Sequence, residues 1–200
     1  MKQINQNKIG HLEIYTGCMF SGKTDALIAT LFRLRQARQN ILVFKPEIDQ
    51  RSNITEIKSQ TKKTWPAISI VHPQEIQTKI ENSVNVDGIA IDETQFFDLN
   101  LLPFVESWLD NGYDVYISGL DRGFSDNNLP VMNHLLALAD RVIKLFAYCN
   151  KCGTIANKTQ RINNNGNAVF PSIKKDAEFV GGVNLYEPRC RKCYVRFSKK

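Results

Sequence analysis

An eight-residue stretch near the amino terminus could bind a phosphate group. Residues 17–24 read GCMFSGKT and fit the pattern G-x-x-x-x-G-K-[ST] in full. Glycines let backbone N–H groups surround a phosphate, and the amino end of the following helix adds its dipole. Lys23 would then reach the terminal phosphates, and the Thr24 hydroxyl can ligate Mg²⁺. The motif predicts a nucleoside triphosphate site made of Gly17, Cys18, Met19, Phe20, Ser21, Gly22, Lys23 and Thr24.

The alternative is a chance match in a glycine turn, and the flanking segments speak against it. Residues 9–16 have the composition of a short strand, and residues 24–38 place Leu27 and Leu31 on one helical face. Strand, loop and helix in this order are the context in which the motif binds phosphate. We interpret Cys18 as a small packing residue, because no histidine lies near it in sequence to activate a thiolate.

Two carboxylates, Asp92 and Glu93, directly follow the apolar residues 88–91. Behind a phosphate loop, a carboxylate at the end of a second strand approaches Mg²⁺ directly or through water, which suits Asp92. Glu93 then lies beside the terminal phosphate as a candidate base. It could deprotonate water, as in an ATPase, or a substrate hydroxyl, as in a kinase, and the spacing does not separate the two. The other possibility is that Asp92 only caps the following helix.

Four of the five cysteines form two C-x-x-C pairs, Cys149 with Cys152 and Cys190 with Cys193. Two such pairs at distant positions can surround one tetrahedral Zn²⁺. Two disulfides are the alternative, but the amino terminus lacks the apolar core of a signal peptide, so we expect a reducing cytoplasm. Four protein ligands leave no open coordination position, and the predicted zinc is therefore structural rather than catalytic. The 37 residues between the pairs predict a long excursion.

Composition and charge limit the class of protein. The chain has 200 residues and a mass of 22.8 kDa; 42% of the residues are apolar and 23% are charged, as in a soluble globular protein. No apolar run approaches the length that spans a membrane. The net charge is −2 over residues 1–146 and +8 over residues 147–200. We therefore expect a nucleotide-binding domain at 1–146 and a zinc-binding domain at 147–200.

Short apolar segments alternate with helical patterns through the first domain. We predict strands at 9–16, 41–44, 68–71, 88–92, 115–119 and 142–146, and helices at 24–38, 74–81, 99–110 and 130–139. Residues 50–63 are polar and aperiodic, and we predict a mobile loop there. The alternation implies an α/β fold of the P-loop NTPase type, in which helices flank a parallel sheet and a small zinc ribbon follows.

In their order and combination, these motifs resemble thymidine kinases of the cytosolic, zinc-containing type. The resemblance runs from about residue 10 to residue 194. It is carried by GCMFSGKT at 17–24, DQR at 49–51, DETQFF at 92–97, GLDRGF at 119–124, TQRI at 159–162 and GGVNLYEPRCRKC at 181–193. In that family a loop of the zinc domain, the lasso, folds over the bound nucleoside.

The resemblance implies Mg²⁺-dependent transfer of the γ-phosphoryl group of ATP to the 5′-hydroxyl of thymidine. Glu93 matches the catalytic base of the family. The ATP site matches residues 17–24 together with Asp92, Glu93, Thr94 and Gln95, of which Thr24 and Asp92 hold Mg²⁺. The thymidine site matches Met19, Asp49, Arg51, Phe96, Leu120, Phe124, Thr159 and the lasso positions Phe179, Val180, Gly181, Gly182 and Tyr186.

The resemblance also implies how the protein assembles and is controlled. The family is commonly homotetrameric, acts in the cytoplasm and is inhibited by thymidine triphosphate. We expect no nucleic-acid or membrane partner.

Three departures from the family pattern lie near the site. Cys18 stands where proline is usual, and Thr94 stands where alanine or glycine is common. Residues 125–130, SDNNLP, replace a basic stretch that ends in Pro-Phe-Gly. The last change removes positive charge and an aromatic side chain near the nucleoside pocket. The resemblance therefore does not define the shape of the pocket at Leu129.

Functions from different classes compete for these motifs. A kinase needs a lid that excludes water from ATP, and the excursion between the cysteine pairs is the candidate. A P-loop ATPase whose basic zinc ribbon binds nucleic acid is the alternative, and the charge of +8 motivates it. Against the ATPase, the ribbon lacks a stripe of aromatic and basic residues, and no further helicase-like motif is present. A non-enzymatic zinc-ribbon module would leave the phosphate loop and Asp92–Glu93 unexplained.

Overall fold

The structure, a computed structural model, describes residues 8–49, 55–169 and 183–196. The strands are β1 (Leu12–Gly17), β2 (Ile41–Pro46), β3 (Glu56–Lys58), β4 (Thr64–Pro66), β5 (Ile68–Ile70), β6 (Gly88–Ile91), β7 (Asp114–Leu120), β8 (Arg141–Lys144), β9 (Ala147–Tyr148), β10 (Ile155–Ala156), β11 (Lys158–Arg161) and β12 (Tyr186–Arg189). The α-helices are α1 (Lys23–Gln36), α2 (Pro73–Glu81), α3 (Leu102–Asp110) and α4 (Pro130–Leu138), and short 3₁₀-helices lie at Thr94–Phe96, Leu99–Leu101 and Val183–Leu185.

The central feature is a parallel sheet in the order β5-β2-β6-β7-β1-β8. Every neighbouring pair in it is parallel, so each connection crosses over the sheet. The sequence GIAI of β6, in the interior of the sheet, is apolar throughout because both of its faces are covered. The predicted α/β class is confirmed. Among the described residues, no helix is long and apolar enough to cross a membrane.

Alternating side chains of the sheet separate two apolar clusters, one on each face. Ile89 of β6 packs with Trp108 of α3 in a cluster that also takes in α2 and α4. Ala90, the next residue, packs on the other face with Leu27 and Leu31 of α1. The predicted apolar face of α1 therefore holds the helix against the sheet directly behind the phosphate loop.

The described part of residues 50–63 differs from the prediction of a loop. It contains β3, which pairs antiparallel with β4. Ile57 of β3 is buried in the cluster beneath α1, and this burial explains why a strand forms here. A strand of three residues with one apolar side chain has no readable periodicity, so the sequence pattern missed it.

Some element boundaries move by a few residues. β1 begins at Leu12 rather than at residue 9. The segment predicted as a helix from residue 99 opens with a 3₁₀ turn, in which the Asp98 carboxylate accepts a hydrogen bond from the backbone N–H of Asn100 at 2.9 Å. These shifts leave the carboxyl ends of the strands, where the candidate residues lie, within one residue of prediction for β6 and β7.

Beyond residue 146 the described chain forms short antiparallel pairs rather than a continuation of the sheet. β9 pairs with β10, and β11 pairs with β12. We call the described residues from 147 onward the C-terminal lobe. β12 also contacts both β9 and β10, so the two pairs pack together.

Ile89→Ala tests the placement of β6 in the centre of the sheet. The side chain is fully buried, so we expect the free energy of unfolding to fall by about 2–5 kcal/mol through lost burial and the cavity left behind. Val84→Ala removes an exposed side chain and should change it by less than about 0.5 kcal/mol. Denaturant unfolding measures both variants, and equal losses would contradict the buried position of β6.

Candidate active site

The carboxyl ends of three neighbouring strands carry the residues that could do chemistry. Gly17 ends β1, Leu120 ends β7, and Asp92 directly follows β6. Because the strands are parallel, these ends lie at the same edge of the sheet, where open α/β sheets bind their ligands. The sheet thus assembles the site from distant parts of the chain.

The phosphate loop joins β1 to α1 and requires glycine at both of its ends. A Cβ at Gly17 would lie 2.3 Å from the Leu145 carbonyl oxygen, so no larger residue fits. Gly22 precedes α1 with a φ of 83°, a left-handed conformation that glycine adopts without strain. The buried ammonium of Lys23 donates to the Cys18 carbonyl at 2.9 Å and so spans the loop. The 14-residue helix α1 adds the positive end of its dipole, which suits a phosphate.

Asp92 links the phosphate loop to two strands of the sheet. The Thr24 hydroxyl donates to both oxygens of the Asp92 carboxylate at 3.2 Å, and the Ser118 hydroxyl of β7 donates to the same carboxylate. A hydroxyl and a carboxylate are the hard oxygen ligands that Mg²⁺ prefers, so the pair fits the predicted metal role. The alternative role as a helix cap has no support, since Glu93 rather than Asp92 precedes the 3₁₀-helix at Thr94–Phe96.

Glu93 is buried and held in an uncommon backbone conformation. Its φ is 52°, which is unusual for a residue with a side chain and is found preferentially at functional sites. The Gln95 amide donates to the Glu93 carboxylate, and its oxygen accepts the Leu120 backbone N–H at 3.0 Å. Gln95 therefore fixes the candidate base relative to the end of β7. Thr94 is fully buried, and its hydroxyl donates to the Ile91 carbonyl at 3.1 Å, which satisfies this departure from the family pattern internally.

Several positions expected to bind thymidine lie together around the phosphate loop. The backbone N–H of Met19 donates to the Thr159 hydroxyl of β11 at 3.0 Å. The Phe124 and Tyr186 rings, both buried, have centroids 5.7 Å apart. Residues from the phosphate loop, the loop after β7 and the C-terminal lobe thus meet in one region.

The remaining predicted positions are placed as follows. Phe96 and Leu120 are half-buried, and Asp49 is buried in the segment that follows β2. Arg51, Phe179, Val180, Gly181 and Gly182 lie outside the described residues. Leu129 is buried in the apolar cluster that includes α4, so its side chain fills core space.

Lys45 belongs to no sequence motif, yet it lies beside the carboxylates that follow β6. It is 1% exposed and follows Phe44, which pairs with Ile91 of β6, so Lys45 adjoins Asp92 in the register. Its ammonium donates to the Asp49 carbonyl at 3.3 Å. A buried ammonium requires such partners, and the lysine in the apolar run ILVFKP is the signal that could have revealed it.

The four paired cysteines converge on one point. Their sulfur atoms all lie within 4.8 Å of one another, and the Sγ atoms of Cys152 and Cys190 are 3.6 Å apart. Four sulfurs around a tetrahedral Zn²⁺, each about 2.3 Å from the ion, are about 3.8 Å apart, so the cluster fits such a metal. The contact between Cys152 and Cys190 joins the two C-x-x-C pairs. Its length of 3.6 Å is far greater than that of a disulfide bond, about 2.05 Å. A single cluster of this kind favours metal binding over two separate disulfides.

The fifth cysteine connects the phosphate loop to this cluster. Cys18 is buried against Cys149, Cys190 and Ala156, and its Sγ lies 3.5 Å from the Ala156 carbonyl oxygen. Burial raises the pKa of the Cys18 thiol above its ordinary value, which keeps it protonated and unreactive. These contacts are those expected of a packing residue.

Comparisons with known proteins agree on one family. A family model described as thymidine kinase matches residues 10–194. The thymidine kinase of Mycoplasma capricolum subsp. capricolum is 40% identical over 198 residues, which is 98% of this chain and 93% of that protein. Those of Mesoplasma florum and Coprothermobacter proteolyticus are each 39% identical, over 194 and 183 residues; these alignments cover 96% and 90% of this chain and 94% and 88% of the relatives.

Cys152→Ser tests whether the four sulfurs hold a metal ion. Loss of one thiolate should reduce the bound metal below half an ion per chain and lower the melting temperature, because metal binding stabilises the folded lobe. Lys151→Ala, an exposed change within the same C-x-x-C pair, should preserve both. Elemental analysis and thermal unfolding with and without a strong chelator provide the measurements. A wild-type melting temperature that the chelator leaves unchanged would contradict a structural metal.

Proposed function

The chain belongs to the thymidine kinase family, and we propose that it transfers the γ-phosphoryl group of ATP to the 5′-hydroxyl of thymidine. One observation carries the proposal: Glu93 lies buried next to Asp92, which contacts Thr24 of the phosphate loop, at the shared edge of parallel strands. This arrangement supports Glu93 as a base beside the position that the terminal phosphate would take. The products are thymidine monophosphate and ADP.

The donor half of the site would bind ATP through residues 17–24. Backbone N–H groups of the loop and the amino end of α1 would surround the phosphates, and Lys23 would turn from the Cys18 carbonyl to the terminal phosphates. Thr24 and Asp92 would hold Mg²⁺, which when bound neutralises charge on the β- and γ-phosphates. Asp92, Glu93, Thr94 and Gln95 would complete this half of the site.

Glu93 would act as the general base. Its carboxylate accepts the proton of the 5′-hydroxyl while the hydroxyl oxygen forms a bond to the γ-phosphorus. The bond from that phosphorus to the β,γ-bridging oxygen breaks, and ADP leaves with the electron pair. Gln95 holds the carboxylate in place by donating to it while binding the Leu120 backbone. A base fixed in this way loses little freedom on reaching the transition state.

The acceptor half of the site would enclose the nucleoside where the C-terminal lobe meets the phosphate loop and the loop after β7. We assign this role to Met19, Asp49, Arg51, Phe96, Leu120, Phe124, Thr159, Phe179, Val180, Gly181, Gly182 and Tyr186. The contact of Met19 with Thr159 and the packing of Phe124 against Tyr186 support the grouping. The lasso, which includes residues 179–186, would close over the nucleoside and exclude water, so that ATP phosphorylates the hydroxyl instead of being hydrolysed.

The C-terminal lobe would be a structural zinc domain. We assign Zn²⁺ to Cys149, Cys152, Cys190 and Cys193, because four thiolates at these separations match its preferred tetrahedral ligand set. We place the division of the chain at 1–146 and 147–200, where the central sheet gives way to short antiparallel pairs. The metal would stiffen the base from which the lasso extends.

Family membership supports a proposal for assembly and control. We propose a homotetramer in the cytoplasm that is inhibited by its end product, thymidine triphosphate. The likeness to known thymidine kinases over nearly the whole chain supports these assignments.

Glu93→Gln tests the proposed base. The amide keeps the shape of the side chain but cannot accept the proton, so we expect the rate of thymidine monophosphate formation to fall by roughly 10²–10⁴-fold. Glu106→Gln makes the same chemical change on the exposed face of α3 and should retain the wild-type rate. Labelled thymidine with ATP and Mg²⁺ provides the assay.

Two results would overturn the proposal. Wild-type protein that forms no more thymidine monophosphate than the Glu93→Gln variant would exclude the kinase. Hydrolysis of ATP that DNA or RNA stimulates, together with nucleic-acid binding that weakens steeply with salt, would indicate the nucleic-acid-dependent ATPase instead.

A further inference from the structure

The loop that follows β7, residues 121–129, is bound to the C-terminal lobe by a charged contact. The Asp126 carboxylate lies against the ammonium of Lys158, the first residue of β11. The Lys158 side chain is only 10% exposed. The same carboxylate lies 3.3 Å from the guanidinium of Arg122, whose side chain is 50% exposed. Lys158 is therefore a nearly buried partner from the C-terminal lobe, whereas Arg122 is an exposed partner from the loop itself.

Asp126 is placed for this contact by the backbone of its own loop. Its φ of 62° is left-handed, a conformation that aspartate tolerates better than most residues. Its N–H donates to the Gly123 carbonyl at 3.1 Å, and the Gly123 N–H donates to the Asn127 carbonyl at 3.1 Å. Although burial opposes it, the cations Lys158 and Arg122 hold the pKa of Asp126 below its ordinary value, so the carboxylate is charged at neutral pH.

A second contact from the C-terminal lobe holds the same loop at Phe124. The Tyr194 hydroxyl donates to the Phe124 carbonyl at 2.6 Å. Tyr194 directly follows the metal-site cysteine Cys193, so its position is tied to the cysteine cluster. The Lys158 ammonium lies 5.8 Å from the centroid of the Tyr194 ring, which brings the two contacts together.

These contacts meet around an aromatic ring at the acceptor site. The Phe124 ring is 6% exposed, with the Tyr186 ring 5.7 Å away and the Arg161 guanidinium 5.7 Å from its centroid. The loop that carries this ring reads SDNN at 125–128, so Asp126 is the charged residue of this stretch. Asp126 therefore meets the lysine of the C-terminal lobe with opposite charge.

We propose that Asp126 and Lys158 form a positioning ion pair that, with Tyr194, fixes Phe124 against the C-terminal lobe and thereby sets the affinity for the nucleoside. The proposal rests on the proposed function, in which Phe124 borders the acceptor. The pair does not touch the reacting atoms. It acts through the backbone of the loop, so the chemical step and ATP binding do not depend on it.

Kinetics of Lys158 variants test this role. Lys158→Met keeps the aliphatic stem but removes the charge, and we expect the KM for thymidine to rise about five- to tenfold, because the Asp126 carboxylate loses its nearly buried partner. The KM for ATP and kcat should stay within about twofold of the wild type, since the pair lies outside the donor half. Lys158→Arg restores a cation and should return the KM for thymidine toward the wild-type value.

Arg122→Gln is the matched control, because it removes a cation from the same carboxylate without touching the C-terminal lobe. The ion pair of Arg122 with Asp126 is partly exposed to solvent and therefore weak. The KM for thymidine should change less than about twofold. Metal content is measured for every variant to show that the cysteine cluster is intact.

Hydrogen exchange gives a readout that does not depend on activity. Lys158→Met and Tyr194→Phe should each speed amide exchange in residues 121–129, while Arg122→Gln should not. Unchanged exchange in both variants would overturn the positioning role of Lys158 and Tyr194. Faster exchange with an unchanged KM for thymidine would overturn its role in nucleoside affinity.

The kinetic results also separate this inference from the proposed function. If the wild type forms thymidine monophosphate and Lys158→Met keeps the wild-type KM, the ion pair is not a positioning contact although the kinase assignment stands. If the wild type forms no thymidine monophosphate, the kinase assignment fails, and the acceptor role of the pair fails with it.

Discussion

The candidate site depends on the parallel pairing of β6, β7 and β1. Each strand contributes a different part: β1 leads into the phosphate loop, β6 ends at the two carboxylates, and β7 supplies Ser118 and the Leu120 amide. A slip of one residue in either pairing would turn these groups to the opposite face. The contact between Thr24 and Asp92, which are 68 residues apart, therefore follows from the register of the sheet.

The C-terminal lobe contacts the loops that form the candidate site. It contacts the phosphate loop through Thr159 on the Met19 backbone and through the packing of Cys18 against the cysteine cluster. It also holds the loop after β7 through Lys158 and Tyr194. Part of the positive charge of this lobe is thus paired with a carboxylate of the protein itself. This pairing weakens the argument from charge for a nucleic-acid partner.

Local motifs made much of the site predictable, and long-range contacts made the rest unpredictable. Residues 17–24 and the two C-x-x-C pairs carry their chemistry in their spacing, and the buried strand before Asp92 is apolar throughout. Lys45 and the pair of Asp126 with Lys158 have no such spacing, because strand register and lobe packing bring them to their partners. β3 escaped prediction because Ile57 alone anchors it, in a cluster contributed by distant residues.

We propose that the shared strand edge delivers the terminal phosphoryl group of ATP to a nucleoside hydroxyl and not to water. Phosphorus-31 NMR during turnover of the wild-type protein with ATP, Mg²⁺ and thymidine follows that phosphorus atom directly. We predict that the γ-phosphorus signal is replaced by the signal of thymidine 5′-monophosphate, with little inorganic phosphate. Accumulation of inorganic phosphate at the rate of ATP loss, with no thymidine 5′-monophosphate signal, would contradict the claim.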